Sequence, residues 1–236
     1  MNGTNKSINL HKKIIQFAKK NTSKSNIIYC PPYTLIRSFI DIFKNSKIKF
    51  GAQNCFYKDT YGPYTGQLSS KMIKESGCDY IILGHSESRV HGDNDKIINK
   101  KIISSLNNNL KVIFCFGETY KEKKNKNTNR IINKQITLAL KNVQNRNNIL
   151  FAYEPIWSIG TGKILNNSDL ESCLFYIQKL LKSKFRIKKP IILYGGSVNS
   201  YTVKMLKNIN NIDGFLIGSA SLNVNKFIDI IKKTYN

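Results

Sequence analysis

Ala152-Tyr153-Glu154-Pro155-Ile156-Trp157-Ser158-Ile159-Gly160-Thr161-Gly162-Lys163 is the stretch whose reading decides the fold. The apolar run Ile149 to Tyr153 reads as a buried strand, and it ends in a single carboxylate, Glu154. Pro155 then fixes φ where the chain leaves the strand. Gly160 and Gly162 allow backbone angles and close approaches that a side chain forbids. A carboxylate at a strand end, followed by a loop with a rigid start and a flexible tip, describes a base beneath a closing lid. One isolated Glu-Pro would be an ordinary strand-to-turn junction; twelve residues in this order are too specific for that.

Outward from this segment, short apolar strands alternate with amphipathic helical stretches, the pattern of a parallel sheet. Strands are expected at 26–30, 48–53, 80–83, 111–116, 149–153, 191–194 and 214–217. Helical stretches follow at 33–44, 69–75, 95–107, 129–144, 169–182, 201–207 and 225–232, and a further amphipathic segment, 8–20, precedes the first strand. No Pro- or Gly-rich linker divides the 236 residues, so one domain spanning 1–236 is expected. Seven strands and eight helices fall one strand short of a closed (β/α)8 barrel.

Four more islands accompany the lid segment: Gly84-His85-Ser86-Glu87, Cys115-Phe116-Gly117-Glu118, Tyr194-Gly195-Gly196-Ser197-Val198 and Gly214-Phe215-Leu216-Ile217-Gly218-Ser219-Ala220-Ser221-Leu222. In content and order the five islands resemble the triosephosphate isomerase family, and the resemblance runs nearly the whole chain. It implies a (β/α)8 TIM barrel with the first strand missing from the N-terminus of this chain. In the family that strand ends in an Asn, a Trp and a Lys before Met-Asn-Gly, and here the sequence opens at Met1-Asn2-Gly3. A true start upstream of Met1 is the simpler expectation; a truncated, impaired barrel is the alternative.

The resemblance also assigns roles. Glu154 is the expected base and His85 the expected neutral electrophile, the pairing for which the family is known. Backbone N–H groups near Gly160, Ser197, Gly218 and Ser219 are the expected phosphate contacts. Pro155, Trp157, Thr161, Gly162 and Lys163 form the lid, with Trp157 helping to exclude water. Ser86 and Glu87 support the site, Glu87 as a buried carboxylate. Where the family has Gly-Gly, Gly218-Ser219 keeps the N–H groups but adds a side chain beside the phosphate. Gly62-Pro63-Tyr64-Thr65-Gly66-Gln67 resembles the loop that enters the partner subunit, with Thr65 as the dimer contact, although Pro63, Gln67 and Ser88 depart from the usual residues. No metal or organic cofactor is implied; the implied partners are a small anionic triose phosphate and a second copy of the chain.

Composition bears on the alternatives. The net charge of +24 raises nucleic-acid binding, since clustered Lys and Arg neutralise phosphates. The basic residues are instead spread over the chain among many Asn and Ile, all encoded by AT-rich codons, and no nucleic-acid-binding motif appears. No nucleic-acid partner is expected, and the run Lys121 to Lys126 reads as a solvated loop. No apolar run approaches bilayer length, so no membrane partner is expected either. Five widely spaced cysteines without a CxxC pair point to reduced thiols and a cytoplasmic setting. A dinucleotide fold fails for want of G-x-G-x-x-G after a first strand. A phosphate-cradling Walker loop fails because Ile164 stands where Ser or Thr is required.

Overall fold

A computed structural model describes residues 2–21, 26–43, 46–59, 61–162 and 165–235. In chain order its main elements are α1 (Asn5–Asn21), β1 (Ile28–Tyr29), α2 (Ile36–Phe43), β2 (Lys49–Ala52), α3 (Ser70–Glu75), β3 (Tyr80–Leu83), α4 (Ser86–Val90), α5 (Asp95–Asn107), β4 (Lys111–Phe116), α6 (Tyr120–Lys124), α7 (Thr128–Ala139), β5 (Ile149–Tyr153), α8 (Asn167–Ser183), β6 (Ile191–Tyr194), α9 (Val203–Leu206), β7 (Gly214–Phe215) and α10 (Val224–Tyr235). Every strand pairs in parallel with its neighbours in sequence, in the order β1-β2-β3-β4-β5-β6-β7. The sheet curls as a (β/α)8 barrel does, with β1 and β7 at its two edges. Among the described residues, no helix is long and apolar enough to cross a membrane.

The strands read as near-continuous apolar runs because both faces of the sheet are covered. Side chains alternate between those faces. Ile113, Cys115, Ala152 and Leu193 point inward, with Ile28, Tyr80, Ile82, Leu150 and Leu216 against them. The intervening residues, among them Ile81, Leu83, Val112, Phe114, Phe116, Phe151 and Tyr194, pack outward against the helices. Burying each large apolar side chain contributes roughly 1.5–3 kcal/mol. The helical layer also meets across the sheet's edges. Ile14 of α1, fully buried, packs with Val224 and Phe227 of α10, so the helix before the first strand lies beside the helix after the last.

The expected strands all form, but the two edge strands are shorter than the sequence suggests, at two residues each. The basic run after Thr119 is a helix, not a loop. Thr119 Oγ1 accepts the Glu122 N–H and the Glu122 carboxylate accepts the Thr119 N–H, a reciprocal capping box that starts α6. Its lysines sit in the last turn, where they face the negative end of the helix.

Candidate active site

Parallel strands bring their carboxyl ends to one face, and four of the sequence islands meet there. Glu154 follows β5 directly and is 3% exposed. Its N–H donates to Phe116 O, which continues the β4–β5 ladder one residue past the strand. Two glycines make room for it. A Cβ on Gly117 would collide with the Glu154 carbonyl, and one on Gly195 would lie 2.7 Å from Glu154 Cγ. Burial, the largest cause, pushes the Glu154 carboxyl up to about 8, against the opposing pull of the Cys115 thiol, the Ser86 N–H and the Arg89 guanidinium. Arg89 is itself fixed by Gly84 O at 2.7 Å, Asp95 Oδ1 at 2.7 Å and Cys115 O at 3.2 Å, so it braces the ends of β3 and β4.

His85 caps α4. Its Nδ1 accepts the Glu87 N–H at 3.3 Å, so the neutral ring carries its proton on Nε2. That nitrogen lies 3.5 Å from Glu154 Oε1. Burial lowers the imidazole's proton affinity below the ordinary histidine value, partly offset by Glu87. A raised carboxyl and a lowered imidazole, facing each other at a strand-end surface, are the two halves of a proton-transfer site.

The lid begins with the short 3-10 turn Ile156–Ser158. Trp157 is tied down rather than free: its Nε1–H donates to Glu118 Oε1 at 2.9 Å, and Lys123 Nζ sits 3.7 Å from the ring centroid. Glu118 is fully buried and also accepts from Tyr153 Oη at 3.1 Å. Burial raises its pKa, while these hydrogen bonds pull it back down. At the lid tip Gly160 and Gly162 have φ of 69° and 75°, the left-handed region that glycine enters without strain. Thr161 Oγ1 donates to Ser158 O at 3.1 Å, and the Gly162 N–H donates to Ser197 Oγ at 3.0 Å. Lys163 lies outside the described residues.

Two expectations need correction. Glu87 is exposed, not buried, because its place in the first turn of α4 turns its side chain to solvent. The Ser197 N–H, expected to face a phosphate, donates to Ser158 Oγ at 3.2 Å. Gly218 and Ser219 follow β7, with Ser219 opening the turn Ser219–Leu222 and both residues exposed. Thr65 is exposed on its loop. Sequence reading assigned no role to Glu118, Cys115, Tyr194 or Ser158. Glu118 was visible as the end of a strand-end motif; the others act through contacts between strands that no spacing encodes.

A parallel β/α barrel with a buried carboxylate and a neutral histidine at its strand ends defines a barrel protein built for acid–base chemistry. The sequence model of the family described as triosephosphate isomerase matches residues 1–234. The triosephosphate isomerase of Thermodesulfovibrio yellowstonii is 39% identical over 216 residues, 90% of this chain and 87% of that protein. That of Dehalococcoides mccartyi strain CBDB1 is 40% identical over 210 residues, 87% and 82% of the two chains. The crystal structure of triosephosphate isomerase from Bartonella henselae superposes with a TM-score of 0.90 at 32% identity, covering 100% of this chain and 96% of the other. The chain belongs to the triosephosphate isomerase family.

Proposed function

We propose that the chain interconverts dihydroxyacetone phosphate and D-glyceraldehyde 3-phosphate, a step of glycolysis and gluconeogenesis. The observation that carries this reading is the 3.5 Å approach of His85 Nε2 to the buried Glu154 carboxylate. Ionised Glu154 takes a proton from the carbon beside the substrate carbonyl. The electron pair moves to the carbonyl oxygen, and the His85 Nε2–H stabilises the resulting enediol(ate). His85 Nε2 gives its proton to that oxygen and takes one from the adjacent hydroxyl, while the same carboxylate returns its proton to the neighbouring carbon. Neither step calls for a cofactor or a metal ion. Ser86 supports the pair by donating its N–H to Glu154.

Phosphate binding falls to backbone donors at Gly160, Gly218 and Ser219, beneath a lid formed by Pro155, Trp157, Thr161, Gly162 and Lys163. Thr65 marks the surface through which two copies pair as a homodimer. Its loop is held at the base by packing of Phe56 on Tyr64, with centroids 5.1 Å apart, which leaves the tip outward. The free thiols fit a cytoplasmic setting.

The test is turnover of glyceraldehyde 3-phosphate by the wild type and by Glu154→Asp. Retracting the carboxylate by one methylene is expected to lower kcat about a hundredfold, with affinity for a phosphate-bearing inhibitor nearly unchanged. Equal losses in both would reject Glu154 as base. Phosphate binding without any wild-type turnover would identify a binding protein on an isomerase scaffold.

A further inference from the structure

The end of β4 is completed by a side chain instead of a strand. Phe116 O accepts the Glu154 N–H at 2.8 Å and Glu118 O accepts the Ile156 N–H at 3.0 Å, so pairing with the β5 side runs on past both strands. On the other side, pairing with β3 stops at Phe114 and Leu83, and β3 turns away at Gly84, with φ of 78°. Gly117, between the two carbonyls, therefore has no β3 residue opposite it. Gln135 of α7 takes that place. The Gly117 N–H donates to Gln135 Oε1 at 2.9 Å, and Gln135 Nε2 donates to Gly117 O at 3.2 Å. One half-buried amide thus holds both backbone groups of one residue, and only this orientation of the amide serves both. Gln135 reaches the strand end because Ile132, Ile136 and Ala139 seat that side of α7 in the core. The residue it holds lies directly against the Glu154 backbone, so close that an added Cβ would collide with the carbonyl.

We infer that Gln135 is a positioning residue: it fixes the Gly117 backbone, and that backbone forms the seat of Glu154. Peptide groups in a buried place are unfavourable when unpaired. Without the amide, Gly117 would turn toward water and carry away the wall behind the base. A small displacement of a base from its reacting geometry costs far more rate than affinity, since substrate is held by other contacts. Gln135 acts through the strand end alone, because its hydrogen bonds go to Gly117 and not to the carboxylate. For its catalytic consequence the inference rests on the isomerase reading; for the clamp on Gly117 and the surroundings of Glu154 it does not.

The experiment uses Gln135→Met, which removes both hydrogen bonds and keeps the length of the side chain, with Gln135→Ala as a second variant. Ile136→Val trims the adjoining buried position of α7 and serves as the stability control. Both Gln135 variants are expected to speed amide exchange at Gly117 about tenfold or more. They should lower kcat about tenfold while KM stays within about twofold. The acid limb of kcat/KM should move to lower pH, because water admitted beside Glu154 relieves the burial that raises its pKa. Ile136→Val should lose Tm with kcat and the pH profile unchanged. A Gln135→Met variant with wild-type kcat and pH profile overturns the proposal, as does an Ile136→Val variant that loses as much kcat as the Gln135 variants. A wild type without turnover would sink the isomerase reading alone. The titration of Glu154, followed by NMR of its carboxyl carbon, would still fall in Gln135→Met if the clamp sets its surroundings, and an unmoved titration would overturn it.

Discussion

Glu154 owes its basicity to where the chain puts it, behind a strand and between two glycines. Its folded pKa, about 8, lies above the ordinary 4.5 of a free glutamate. The folded protein therefore holds this proton more tightly than the unfolded chain does. Its contribution to stability is fully present below about 4.5 and is lost as pH rises through about 8. Glu154→Gln keeps the shape and removes the titration. The variant should match the wild type in Tm at acid pH and exceed it above pH 8, by a margin that widens between the two; a constant difference across the range would contradict the buried-carboxyl assignment. Ionisation is also what proton abstraction needs, so activity and stability run in opposite directions with pH. Glu154 and His85 were legible in sequence because each follows an apolar strand within one or two residues. Ser158, Cys115 and Tyr194 were not, since their partners lie some 35 or more positions away and only the register of β4, β5 and β6 brings them together.

At the scale of elements, one buried ion pair fastens α5 to the barrel. Lys101, 5% exposed, reaches both oxygens of Asp93 at 2.7 Å and Asn54 Oδ1 at 3.0 Å. Removing one partner of such a pair leaves a charge in a poorly solvated place. Asp93→Ala should cost about 3–5 kcal/mol in urea denaturation, and Asp93→Ala with Lys101→Met should recover most of it. A loss below about 1 kcal/mol for the single variant would mean that water reaches the ammonium group. Element boundaries show where sequence reading runs out. β1 and β7 ladder over two residues instead of the four or five expected, because an edge strand has a partner on one side only. Between Lys121 and Lys126 charge density suggested a loop, yet the Thr119–Glu122 cap outweighs repulsion that solvent largely screens. The central strands β3 to β6 were read to the residue, since coverage on both faces leaves them almost wholly apolar.

For the molecule as a whole, charge is the unusual quantity. At +24 the protein is surrounded by a positive field that extends roughly 30 Å at 10 mM salt and about 8 Å at physiological salt. Capture of a doubly charged triose phosphate should be accelerated by that field. kcat/KM is expected to fall several-fold between those ionic strengths while kcat stays level, and a flat kcat/KM would show that diffusion to the site is not limiting. The fold itself carries little mark of this charge, because most of the described lysines, Lys101 apart, are exposed to solvent while the apolar periodicities that make the barrel are untouched.

The lone indole of the chain stands at the base of the lid, half-buried, hydrogen-bonded to Glu118 and covered by the Lys123 ammonium. Any movement of the lid must change the polarity around that ring, and no other tryptophan contributes light. The protein thus carries its own optical gauge. Emission wavelength and intensity on excitation near the red edge of indole absorption report the opening and closing of one loop, in real time and without a label.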